Sequence, residues 1–138
     1  MNILLVEDNP LDAMIVLRTV SKMAPDTHVV RAQDGIEALE LIKQGKVPAP
    51  YIVLLDINMP RMNGHEFLEK LRVTSDFSSS IVFMFTTSDH VEDIEKAYKK
   101  RVNGYIVKRQ NTEGMKSVLV MLQSFWTTCE PPLIITGP

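Results

Sequence analysis

Three acids, a hydroxyl and an amine stand at the ends of apolar runs in this sequence. Glu7 and Asp8 follow NILLV at 2–6, and Asp56 follows YIVLL at 51–55. Thr86 follows IVFMF at 81–85, and Lys108 follows GYIV at 104–107. A carboxylate at the mouth of a buried strand is costly to desolvate, so three of them ask for a reason. Brought together, three carboxylates repel one another, and a hard divalent cation relieves that conflict. Few protein oxygens plus retained waters suit Mg²⁺. With Mg²⁺ present, one carboxylate can attack a phosphoryl donor and become an aspartyl phosphate, a form of covalent catalysis. The new phosphoryl oxygens then need partners, and the Lys108 ammonium and Thr86 hydroxyl are of the right types.

These residues share a site only if the chain folds so that the run ends meet. The first, third and fourth runs are almost wholly apolar, as expected of central strands covered on both faces. HVVRA at 28–32 and GYIV are more polar and read as nearer the edges. A helix start follows each run. Asn9-Pro10 sets an N-cap before a first-turn proline. Asp34 with Glu37, Asn63 with Glu66, and Asp89 with Glu92 read as capping boxes. Asn111 or Thr112 opens the last helix, 112–128. Strands alternating with helices predict an open parallel sheet with right-handed crossovers, which puts all five run ends on one edge. Ligands of such sheets bind along that edge, at the point where the strand order reverses.

Bulk properties agree with one domain and exclude other classes. The chain has 138 residues, a formal net charge of -2 and 45% hydrophobic residues. Nothing here suggests a basic field for nucleic acid, and no stretch reads as a signal or membrane span. The expectation is therefore a cytoplasmic protein with no nucleic-acid or membrane partner. Cys129 alone makes no disulfide framework and reads as a half-buried thiol. His28, His65 and His90 have no ligand-like spacing and read as surface residues.

The acidic pair Glu7-Asp8 in LLVEDNP, Asp56 in LLDINMPRMNG, Thr86 in FMFTTSD and Lys108 in GYIVK occur in order over nearly the whole chain. In this the sequence resembles the receiver domain of two-component response regulators. EDNPLDAMIVLRT, a lysine without a following proline, and Phe125-Trp126 most resemble the stand-alone receivers that partner phytochrome-type histidine kinases. The resemblance implies a flavodoxin-like three-layer α/β fold with strand order 2-1-3-4-5. It implies that Asp56 takes a phosphoryl group from a kinase histidine. It implies that Asp8 binds Mg²⁺ directly, Glu7 directly or through water, and Asn58 through its backbone carbonyl. Lys108 would pair with the phosphoryl oxygens. Thr86 and Tyr105 would form the switch pair, Thr86 turning inward and Tyr105 following. Such a domain catalyses only its own phosphorylation and hydrolysis; it is not an enzyme with a separate substrate. Arg109 replaces the family's usual proline, so a trans peptide is expected there.

Other readings compete. An aspartate-nucleophile phosphohydrolase would need a general acid near Asp56, and the second residue onward is Asn58. A flavin carrier would need a phosphate-cradling loop after the first run, and EDNPLD is acidic. A constitutive, phosphorylation-independent interaction module is the closest rival. Gly64 reads as serving the turn after the third strand. In the last helix Met115, Val118, Leu119, Leu122, Phe125 and Trp126 form an apolar stripe, with Met121 at its edge and Val120 opposite. Residues 1–128 read as the domain and 129–138 as a tail. Leu133, Ile134 and Ile135 in that tail either fold back or meet a second copy. The expectation is a homodimer through the strand 4 to helix 5 side and this tail.

Overall fold

A computed structural model of the protein describes residues 1–109 and 111–134. The chain alternates β1 (Asn2–Val6), α1 (Pro10–Met23), β2 (His28–Ala32), α2 (Gly35–Lys43), β3 (Ile52–Leu55), α3 (Gly64–Val73), β4 (Ile81–Thr86), α4 (Val91–Lys99), β5 (Gly104–Val107) and α5 (Thr112–Thr128). The strands form one sheet, all neighbours parallel, in the order β2-β1-β3-β4-β5. This is the flavodoxin-like arrangement, with the more polar strands at the two edges. Tyr51 lies just before β3, not within it.

Alternation along the strands builds two cores. Leu4, Val6, Val53, Leu55, Val82 and Met84 face one way, onto Ala38, Ile42, Phe67, Leu68, Leu71 and Ala97 from α2, α3 and α4. Ile3, Leu5, Ile52, Leu54, Phe83 and Phe85 face the other, onto Ala13, Val16, Val20, Met115, Leu119 and Leu122 from α1 and α5. Strands buried on both faces must read as continuous apolar runs. The α5 stripe packs as its spacing predicts, with Val118, Phe125 and Trp126 at its margin and Val120 exposed.

Caps show where local sequence decides and where it does not. Asn9 accepts from the Leu11 and Asp12 N–H groups, Asp34 from Glu37, and Asn111 from Gly114. Asn63 and Glu66 form a reciprocal capping box. Asp89 does not cap α4: His90 holds that position, without a side-chain bond. The helix starts one residue later than the Asp89–Glu92 pattern predicts.

Two further expectations are corrected. His65 is buried, because it lies on the α3 face that also carries Leu68. Cys129 is exposed, since α5 ends at Thr128 and the chain turns away. Gly64 serves the turn after β3, as expected: its N–H donates to the Ile57 carbonyl at 2.8 Å, and a Cβ there would lie 2.2 Å from the Asp56 carbonyl oxygen. In the tail, Ile134 packs against the α2–α4 core, and Ser79 Oγ donates to the Leu133 carbonyl at 3.4 Å. Leu133 itself is 89% exposed, and Ile135 lies outside the described residues.

Candidate functional site

Strand register assembles the site. Val6 pairs with Leu55, and Leu55 with Met84, so Glu7 and Asp56 emerge at one level from adjacent central strands. Thr86 pairs with Val107, which brings Lys108 beside them from the edge. The backbone holds this level. Glu7 N–H donates to Ala32 O, Asp56 N–H to Val6 O, and Lys108 N–H to Thr86 O, at 2.9, 3.0 and 2.7 Å.

Glu7, Asp8 and Asp56 each bring a carboxylate oxygen within 4.8 Å of the others. Glu7 is 1% exposed and Asp56 9%; Asp8 is exposed. Asp56 Oδ1 accepts from the Ile57 N–H at 2.8 Å. Its Oδ2 lies 3.5 Å from Lys108 Nζ. Lys108 also bonds Glu7 Oε1 and, at 3.0 Å, Asp12 Oδ2, and its ammonium sits 5.4 Å from the Phe85 ring centroid. Asp8, Asp12, Asp56, Asn58, Thr87 and Lys108 border an open cleft. Lys108–Arg109 is trans, the cis peptide bond among the described residues being Ala49–Pro50.

Burial pushes the Glu7 carboxyl up to about 7, against the Lys108 hydrogen bond and with the Asp56 charge. Burial would lower the Lys108 ammonium, but Glu7 and Asp56 outweigh it and raise it. One ammonium, bonded to Glu7, Asp12 and Asp56 with Asp8 beside them, leaves an excess of negative charge at an opening. Hard oxygen donors at this spacing, with solvent access, fit a Mg²⁺-type ion that keeps part of its water.

Thr86 is fully buried, and its Oγ accepts a long bond, 3.4 Å, from the Ser88 N–H. Tyr105, half-buried on β5, donates its hydroxyl to the Ser88 carbonyl at 2.9 Å. Asn58 is exposed at the cleft in the loop after β3. That loop is pinned to the start of α2: Arg61 Nε donates to Asp34 Oδ2 at 2.8 Å, and Gly35 N–H to Met62 O at 3.1 Å. Arg61 and Asp34 hold each other's charge, lowering the Asp34 carboxyl against its burial.

The structure therefore gathers Glu7, Asp8, Asp56, Asn58 and Lys108 around one cleft, with Thr86 and Tyr105 meeting at Ser88 beside it. Sequence reading missed Asp12, the third carboxylate on Lys108. Its signal was present: one helical turn past Asp8 and inside the first turn of α1. It also missed Asp34–Arg61, a contact between loops far apart in sequence.

Comparison with known proteins identifies the family and agrees with the fold. Residues 3–120 match the family described as the response regulator receiver domain. Response regulator Rcp1 of Synechocystis sp. is 30% identical over 128 residues, covering 90% of this chain and 87% of that one. The phosphorylated cyanobacterial phytochrome response regulator RcpA superposes with a TM-score of 0.82 at 28% identity, covering 94% of this chain and 96% of that one. The Mn²⁺-bound form of Rcp1 gives a TM-score of 0.79 at 30% identity, covering 94% and 97%.

Proposed function

This chain belongs to the response regulator receiver family, and from that premise we propose that it accepts a phosphoryl group on Asp56 from a histidine kinase. The observation that carries the reading is the convergence of Glu7, Asp8 and Asp56 with Lys108 at adjacent strand ends. Glu7, Asp8, Asp56 and the Asn58 carbonyl would hold Mg²⁺, which when bound neutralises charge on the phosphoryl oxygens. The Mn²⁺-bound relative supports a divalent ion here.

Asp56 Oδ1 is tethered to the Ile57 N–H, which leaves Oδ2 as the attacking oxygen. An Oδ2–phosphorus bond forms as the bond from phosphorus to the kinase histidine nitrogen breaks. Lys108, already 3.5 Å from Oδ2, swings its ammonium onto a phosphoryl oxygen, a charge-assisted bond of the strong kind. Thr86 gives up its long Ser88 contact and donates its hydroxyl to another. Tyr105 then leaves the Ser88 carbonyl and moves into the space Thr86 vacates. The domain's chemistry is confined to its own phosphorylation and dephosphorylation.

The partner reading is a phytochrome-type kinase, supported by the likeness to RcpA, itself a cyanobacterial phytochrome response regulator. The second partner reading is a homodimer through the strand 4 to helix 5 side and the C-terminal tail, supported by the exposed Val91 and Tyr98 of α4, Val120 of α5 and Leu133 of the tail. Molar mass in solution, with and without residues 131–138, tests this. A full-length monomer overturns the dimer, and a truncated dimer removes the tail from it.

Intact-protein mass after incubation with a small phosphoryl donor tests the central claim. One Mg²⁺-dependent phosphoryl adduct is expected in the wild type and none in Asp56→Asn. No adduct under any condition would leave the constitutive interaction module as the reading.

A further inference from the structure

A second polar chain runs through the domain away from the carboxylate cluster. His65, in the first turn of α3, is 4% exposed. Its Nε2 lies 3.1 Å from Asp93 Oδ1 in the first turn of α4. The other Asp93 oxygen accepts from Ser88 Oγ at 2.6 Å. Ser88 in turn holds both switch residues, receiving the Tyr105 hydroxyl on its carbonyl and giving its N–H to Thr86. Five residues on α3, α4, β4, β5 and the connecting loop thus form one connected path.

Packing alone does not account for His65. A buried polar ring costs free energy unless its nitrogens are bonded, and His65 Nδ1 has no partner among the described residues. Nε2 must carry the proton, since a proton on Nδ1 would be a buried donor without an acceptor. Burial and the Lys96 and Lys100 charges disfavour a second proton, and Asp93 favours it. The ring therefore makes one directed bond, and that bond aims at Asp93. The Ser88 bond to the Asp93 carboxylate is short and charge-assisted, the strongest in the path.

We infer that His65 and Asp93 are positioning residues: the His65–Asp93–Ser88 clasp fastens residues 87–90 to α3 and holds Tyr105 in its loop-bound position. This rests on the switch reading proposed above. Inward rotation of Thr86 breaks its contact with Ser88, and departure of Tyr105 breaks another. The Asp93 bond is what then keeps the loop from following. The clasp thus biases the resting equilibrium against the switched state, and weakening it raises that state's population.

The test uses the full chain labelled with 3-fluorotyrosine and observed by ¹⁹F NMR. Tyr105→Phe assigns the Tyr105 resonance among the three tyrosines, and beryllofluoride with Mg²⁺ marks its switched position. Without any phosphoryl mimic, His65→Leu and Ser88→Ala should each move the resonance toward the switched position. Each should also speed Asp56 adduct formation from a small donor at least threefold. His65→Gln, whose amide can donate to Asp93, should return both to wild-type values. An unmoved Tyr105 resonance in His65→Leu and Ser88→Ala overturns the clasp, as does a shift that His65→Gln fails to reverse. If His65→Leu does not fold, Ser88→Ala and Asp93→Asn decide alone. Absence of adduct in the wild type would overturn the acceptor reading instead, while the resonance of the unphosphorylated variants still decides the clasp.

Discussion

Lys108 and Arg72 are both long cations drawn into the protein, and their surroundings are opposite. Lys108, at the carboxyl ends of the strands, touches Glu7, Asp12 and Asp56. Arg72, near the amino ends of β4 and β5, donates to the carbonyls of Ser78, Ser80, Lys100 and Arg101 and to Asn103 Oδ1. Burial lowers its guanidinium to about 10, and Arg101 adds to that. Arg72 gives each of its donors a neutral acceptor and ties α3 to the turns before two strands. Lys108 is one charge among four carboxylates at an opening. A buried cation whose needs are met locally is part of the scaffold. One that leaves charge of one sign uncompensated next to solvent marks a place for a ligand.

Substituting the two cations separates these roles. Arg72→Met strands several carbonyl acceptors and should cost about 3 kcal/mol of stability, read by urea unfolding, with no recovery on adding Mg²⁺. Phosphoryl acceptance per folded molecule should stay at the wild-type level. Lys108→Met should cost less, regain stability when Mg²⁺ is added, and lose at least about tenfold in phosphoryl acceptance, as when a transition-state donor is removed. Recovery of both variants by Mg²⁺, or of neither, would break the distinction.

The pH dependence sharpens it. The Glu7 carboxyl is raised from 4.5 to about 7 in the fold. The folded state therefore holds a proton that the unfolded chain has lost between those values, and stability falls as pH rises through that window. Without metal, Glu7→Gln should gain of order 1 kcal/mol over wild type above pH 7, allowing for solvent screening at the cleft. The gain should vanish near pH 4.5. His65 has the opposite sign: burial lowers it, so the unfolded chain binds the extra proton and stability falls as pH drops below 6.5. His65→Gln should flatten that acid limb. Urea midpoints between pH 4.5 and 8 check both, and matching slopes in Glu7→Gln and wild type would remove the claim that Glu7 is held against its charge.

The sheet was legible because its strands are buried on both faces, which leaves no choice but continuous apolar runs. The site was legible for the same reason: a charge ending such a run has no structural excuse. Legibility failed where a contact joins distant segments. His65 lies in GHEFLEKLRV, a helix of mixed polarity, and only its step of three to Leu68 hinted at burial. Arg61 and Asp34 meet across two loops, and no local pattern pairs them. Asp12 was hidden by looking only at strand ends, although the first turn of α1 faces the same opening. The tail was ambiguous on its own, since an apolar segment behind two prolines can pack on any apolar surface; Ile134 packs on its own domain.

The smallest effect comes from two stretches that look alike. Asn63 with Glu66 and Asp89 with Glu92 both fit the pattern of an acceptor followed three residues later by an acid. In the first, Asn63 Oδ1 accepts from the Glu66 N–H at 2.9 Å and Glu66 Oε1 from the Asn63 N–H at 3.1 Å. In the second, α4 starts one residue later, because Ser88 is held to Asp93 and Tyr105 and fixes where the loop ends. Asn63→Ala should therefore cost about 0.5–1 kcal/mol, the ordinary value of an N-cap. Asp89→Ala, at an exposed position without a capping bond, should stay within about 0.3 kcal/mol of wild type, in line with surface substitutions. Equal costs in urea unfolding would mean that Asp89 caps α4 in solution and that the helix starts at His90. That would wind His90 into the helix and shorten the loop, 87–90, that the clasp fastens.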